Sequence, residues 1–138
     1  MKTAIIYKTL LGTTKQYAEW LKEEIKTDVF KFNEASKDKL KEYDLIIVGS
    51  GIYAGKMPLV GYLEKVWDVV ANKDIIILAV GAAPADNEIT KQAYQTIPEK
   101  IREKVKYFKL QGKIWKKLEE KVKKENLNPV IEYIQNIR

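Results

Sequence analysis

Three threonines and a glycine fall within six residues, Thr9-Leu10-Leu11-Gly12-Thr13-Thr14, between an apolar run and an amphipathic one. The first amides of a helix have no carbonyl to bond, and the helix dipole makes that end positive. Threonine hydroxyls add hydrogen-bond donors without adding charge, so the stretch suits a phosphate or another anion. Simple helix capping uses the same residue types. Two more stretches of small and turn-forming residues follow apolar runs, GSGIYAGK (49–56) and GAAPADNE (81–88). Small side chains allow a ligand close to the backbone.

Other chemistries are excluded by composition. The chain has no cysteine and no histidine. That removes disulfides, thiolate nucleophiles, cysteine-held zinc and iron–sulfur clusters, and the commonest general base. No catalytic residue and no metal ligand is assigned. A chain of 138 residues with 46% apolar content fits one domain spanning 1–138. The apolar run before Lys8 is too short for a secretory leader, and no run is long enough to cross a bilayer, so a cytoplasmic location is expected. The net charge of +6 raises the question of nucleic acid. The lysines alternate with glutamates and no aromatic–basic motif appears, so no nucleic-acid partner is expected.

The elements that must position the three stretches are legible as apolar periodicity. Strands are expected at Thr3–Tyr7, Asp28–Phe32, Leu45–Val48 and Ile75–Val80, with a weaker one at Val105–Leu110. LIIV and IIILAV are continuous, as in strands covered on both faces of a parallel sheet. Helical patterns occupy 14–25, 36–43, 58–70 and 88–97, with Ile89, Ala93 and Ile97 expected inward in the last. Strands alternating with helices of this length argue for a three-layer, doubly wound α/β fold. Lys113–Lys124 reads as a basic helix with Ile114, Leu118 and Val122 on its inner face, before a last helix from Pro129 capped by Asn128. Trp20, Trp67 and Trp115 are expected to pack helices on the sheet. In such folds ligands bind at the carboxyl ends of the strands, where the strand order reverses. That edge carries all three stretches.

The first stretch resembles the phosphate loop of the flavodoxin family, (Ser/Thr)-x-Thr-Gly-x-Thr. Thr9, Gly12 and Thr14 match it, Thr13 takes the variable position, and Leu11 replaces the middle threonine. The resemblance spans roughly residues 2 to 110. KEYDLIIVGSGIYAGKMP (41–58) is similar to the branch containing menaquinone-dependent protoporphyrinogen oxidases. The resemblance implies a five-stranded parallel sheet of order 2-1-3-4-5 and bound FMN. It places the FMN phosphate on Thr9, Leu10, Leu11, Gly12, Thr13 and Thr14, with Lys15 adding attraction. Ser50, Gly51, Ile52, Tyr53, Ala54 and Gly55 would flank the ring, Tyr53 against its face, and Gly81, Ala82, Ala83, Pro84 and Asp86 would edge it.

It further implies electron transfer through FMN, one or two electrons at a time, with a redox partner protein or a quinone. A small quinone-linked FMN oxidoreductase, and a flavin-free partner-binding or signalling module, are the rival readings. A phosphoacceptor receiver domain is disfavoured, because Tyr7–Lys8 and Gly49–Ser50 stand where it needs acids. The family's acidic members disfavour the reduced flavin anion, whereas this basic chain should give a less negative potential. The segment Lys113–Lys124 could touch an anionic membrane surface or an acidic partner.

Overall fold

Runs such as Ile46–Val48 and Ile75–Ile77 have no polar face, so a strand made of them must be covered on both sides. The computed structural model, which describes residues 1–138, does this with a single parallel sheet. Its strands are β1 (Thr3–Tyr7), β2 (Asp28–Lys31), β3 (Leu45–Gly51), β4 (Asp74–Gly81) and β5 (Val105–Gln111). They lie in the order β2-β1-β3-β4-β5, the order that the resemblance implies. The chain moves outward from β1 to β2, then crosses back to place β3 on β1's other side. That reversal opens a crevice above Tyr7 and Gly49, which are paired in register.

Alternate strand residues feed two separate cores. Ala4, Ile6, Ile46, Val48, Ile75 and Ile77 pack toward α3 (Pro58–Val70), α4 (Glu88–Gln95) and α5 (Glu99–Arg102). Short α2 (Lys37–Leu40) adds Leu40 to the same layer. Ile5, Tyr7, Ile47, Ile76 and Leu78 face α1 (Thr13–Glu24) and α6 (Asn128–Ile137). Each fully buried aliphatic side chain contributes about 1.5–3 kcal/mol relative to an exposed one, so both layers hold the sheet rigid beneath the strand ends. No helix is long and apolar enough to cross a membrane.

Several expectations are corrected. Lys113–Lys124 is not a helix. The chain makes a tight turn at 114–117 and a 3₁₀ turn at Glu119–Lys121. Trp115 and Leu118 take left-handed φ values of 53° and 65°. The Gly112 N–H is taken by the Gly81 carbonyl, and the Ile114 and Lys117 backbone groups pair with each other across a tight turn instead of along a helix. An amphipathic helix lying on a membrane therefore has no basis in this segment. Trp115 is exposed rather than packed on the sheet, and Ile89 is likewise exposed. Asn128 is the first residue of α6 and makes no capping bond. A further short helix, α5, follows Pro98, where the helical pattern was expected simply to end.

Candidate functional site

The threonine loop is held in shape by its own atoms. The Gly12 N–H donates to the Thr9 Oγ1 at 2.9 Å, and Gly12 adopts φ 89°, a conformation glycine takes at no steric cost. From there α1 starts with no side chain over its N-terminus. The amides of Thr13, Thr14 and Lys15 have no intrahelical carbonyl to reach. Thr13 is 7% exposed, and its buried hydroxyl has no hydrogen-bond partner. A buried, unpaired hydroxyl beside unpaired amides costs stability unless a ligand satisfies it.

The second loop leaves β3 at Gly51 and reverses between Tyr53 and Lys56, whose N–H and C=O groups are paired at 2.8 and 3.0 Å. Its central residues, Ala54 and Gly55, have φ of 50° and 76°, both left-handed as a type I′ turn requires. Tyr53 folds back over Gly51, so close that any β-carbon at residue 51 would meet the phenol ring. Burial pushes the Tyr53 phenol above its ordinary pKa, partly offset by the Leu10 and Gly51 backbone groups beside it.

The third loop is pinned from β5. The Gly81 carbonyl accepts from the Gly112 N–H at 2.8 Å and from Lys109 Nζ at 2.7 Å. Burial lowers the Lys109 pKa. Gln111 Nε2 donates to the Ala82 carbonyl at 3.0 Å. The Asn87 side chain caps α4 by accepting from the Ile89 N–H at 2.9 Å.

These loops surround a cleft of about 500 Å³, within the size range of small-molecule and cofactor sites. Of the expected residues, Thr9, Leu10, Leu11, Thr13, Thr14, Gly51, Ile52, Tyr53, Ala82 and Ala83 line it. Gly12, Ser50, Ala54, Gly55, Gly81, Pro84 and Asp86 do not. Ser50 is fully buried and its Oγ accepts from the Leu59 N–H at 3.3 Å, so it serves α3. Gly55 is covered by Gln92. Pro84 and Asp86 sit at the exposed loop tip. Lys15 points elsewhere, 3.9 Å from Glu19.

Sequence reasoning missed Val80, Ile89, Thr90, Gly112, Lys113, Ile114 and Trp115 on the cleft wall. A glycine directly after the fifth strand, like the glycines ending β3 and β4, was the available signal for the last four. The lining includes one cation, Lys113, and no carboxylate.

A cleft over the switch point of a 2-1-3-4-5 sheet defines a doubly wound α/β protein with its binding site at the strands' carboxyl edge. The family model for the flavodoxin domain matches residues 4–132, and the chain belongs to that family. It is 32% identical over 87 residues to an uncharacterized protein of Methanocaldococcus jannaschii, a match spanning 61% of this chain and 57% of that one. Oxidised flavodoxin 2 from Bacillus cereus superposes with TM-score 0.65 at 19% identity, covering 100% of each chain. A Lactobacillus acidophilus flavoprotein, solved in complex with FMN, gives TM-score 0.55 at 17% identity over 80% of this chain and 91% of that one. At such identities the structural likeness speaks to the fold.

Proposed function

We propose that the protein binds FMN in this cleft and carries electrons, as a cytoplasmic protein, between redox partners. The observation carrying the reading is the buried, partnerless hydroxyl of Thr13, beside the uncapped amides of α1, on a residue that lines the same cleft as Leu10, Ile52 and Tyr53. One end is equipped for a dianion and the other for a flat apolar ring. Family membership and the FMN-bound Lactobacillus acidophilus relative make FMN the ligand of choice.

When bound, the flavin supplies the redox chemistry, and the protein supplies binding, orientation and electrostatics. Thr9 keeps the loop in its anion-binding shape, and Thr13 with the first-turn amides holds the phosphate. Gly51 lets the Tyr53 phenol fold close over the second loop, and Tyr53 shields the ring from water. With Lys113 as the charged group in the lining and no carboxylate there, a reduced flavin anion meets attraction rather than repulsion. The potential should therefore be less negative than in acidic family members. The net charge of +6 suits an acidic redox protein.

Anaerobic photoreduction of the FMN-loaded protein, followed by absorbance, tests the reading. Reversible bleaching of a bound flavin band is expected. A protein that shows no flavin band with saturating FMN contradicts it.

A further inference from the structure

The turn after β5 forms one wall of the cleft. After β5 the chain passes Gly112 and reverses in a two-residue turn. The Ile114 N–H donates to the Lys117 carbonyl at 3.1 Å, and the Lys117 N–H to the Ile114 carbonyl at 2.8 Å. Trp115, at the first central position, has φ 53°, while Lys116 is not left-handed. That sign pattern belongs to type II′ turns, which favour glycine where Trp115 stands. The base of the turn is fastened by Lys113, whose Nζ lies 3.3 Å from Glu119 Oε1.

Trp115 is also 75% exposed, the highest value among the large apolar side chains. Both the backbone and the solvent therefore disfavour tryptophan here. Strain retained by a side chain that packs on little of the fold points to a use outside folding. The position of Trp115 supplies the use, because it lines the same cleft as Thr9, Leu10 and Tyr53. The second loop contributes one aromatic residue to that cleft and the third contributes none. An exposed indole gains most from a flat aromatic surface that covers it.

We propose that Trp115, with Ile114 beside it, is a wall of the flavin-ring subsite, so that the turn after β5 is a fourth cofactor-binding segment. This inference rests on the FMN reading above. It assigns the ring end of the site to Tyr53 and Trp115 and leaves the phosphate end to the threonine loop.

The test uses Trp115→Gly and Trp115→Phe in the full chain. FMN and riboflavin are titrated by calorimetry and flavin fluorescence, with thermal melts of the flavin-free proteins alongside. Trp115→Gly should leave the melting temperature unchanged or higher, because glycine relieves the left-handed backbone. The same variant should weaken FMN and riboflavin alike by about tenfold and restore part of the quenched flavin fluorescence. Trp115→Phe should keep most of the affinity. Wild-type-like binding and quenching in Trp115→Gly would overturn the inference and leave Trp115 as an anchor for a protein partner. A fall in melting temperature with unchanged affinity would overturn it in favour of a packing role. If the wild type binds neither flavin, the FMN reading fails and takes this inference with it.

Discussion

The threonine loop and the turn after β5 line one cleft and are built on opposite principles. Residues 9–14 use glycine for the left-handed position, bury Thr13 and Thr14, and leave polar groups unpaired. Residues 112–118 put Trp115 and Leu118 in left-handed conformations and expose apolar side chains. The first region is a fixed polar socket whose missing partner is an anion. The second is a strained apolar flap whose missing partner is a surface. A ligand with a charged end and a flat apolar end satisfies both. The contrast also explains where affinity arises, since desolvated hydrogen bonds to charged groups are worth more than exposed stacking.

The largest expected effect breaks the socket alone. Gly12→Val forces a β-branched residue to φ 89°, where strain is on the order of 1–3 kcal/mol. FMN affinity should fall by about 100-fold or more, while riboflavin, lacking the phosphate, should change by less than about threefold. A parallel loss for both ligands would mean that the two regions are not separable.

Tyr17 joins the regions. It belongs to α1, and its hydroxyl donates to the Gln111 carbonyl at 2.6 Å while accepting from Asn126 Nδ2 at 2.9 Å. Tyr17→Phe leaves both partners short and should cost about 1–3 kcal/mol in denaturant unfolding. Burial raises the Tyr17 pKa above 10.0, offset in part by Asn126. The unfolded phenol releases its proton first, so the tie is fully present below pH 10.0 and is lost as pH climbs through the folded value. The stability gap between wild type and Tyr17→Phe should accordingly narrow above pH 10.0, and a gap that widens would contradict the assignment.

Thr13→Val sharpens the contrast through opposite signs. Removing an unsatisfied hydroxyl should leave the flavin-free protein as stable or up to about 1 kcal/mol more stable, yet weaken FMN by about tenfold. Destabilisation without a change in affinity would make Thr13 a structural residue. The smallest effect is electrostatic. Lys113→Gln should make the flavin potential more negative by roughly 20–40 mV, a modest shift because Glu119 already pairs with the lysine. A redox titration showing no shift would remove Lys113 from the site's electrostatics.

The same two regions show what was legible in the chain. Continuous runs such as Ile75–Ile77 announce buried parallel strands, and glycines at 49, 51 and 81 mark where the strands open toward a ligand. The threonine loop was legible because its chemistry is local: cap, turn and donors sit within six adjacent residues. Ser50 and Gly55 looked equally suitable but are engaged by Leu59 and Gln92, partners that only the folded chain brings near. The turn after β5 was hidden by an accidental helical spacing of Ile114, Leu118 and Val122. Its actual shape is set by the pairing of Gly112 with Gly81 and of Asn126 with the Tyr17 hydroxyl at 2.9 Å, contacts remote in sequence. Ile89 kept the helix period yet fell at the mouth of the cleft, where the core has already ended.

The central claim is a single site that reads both ends of FMN. Calorimetric titration of the flavin-free protein with FMN and with riboflavin tests it most directly. The account predicts one FMN bound per chain, about 100-fold or more tighter than riboflavin, because the phosphate completes the threonine socket. Equal affinity for the two flavins, or binding of neither, would contradict it.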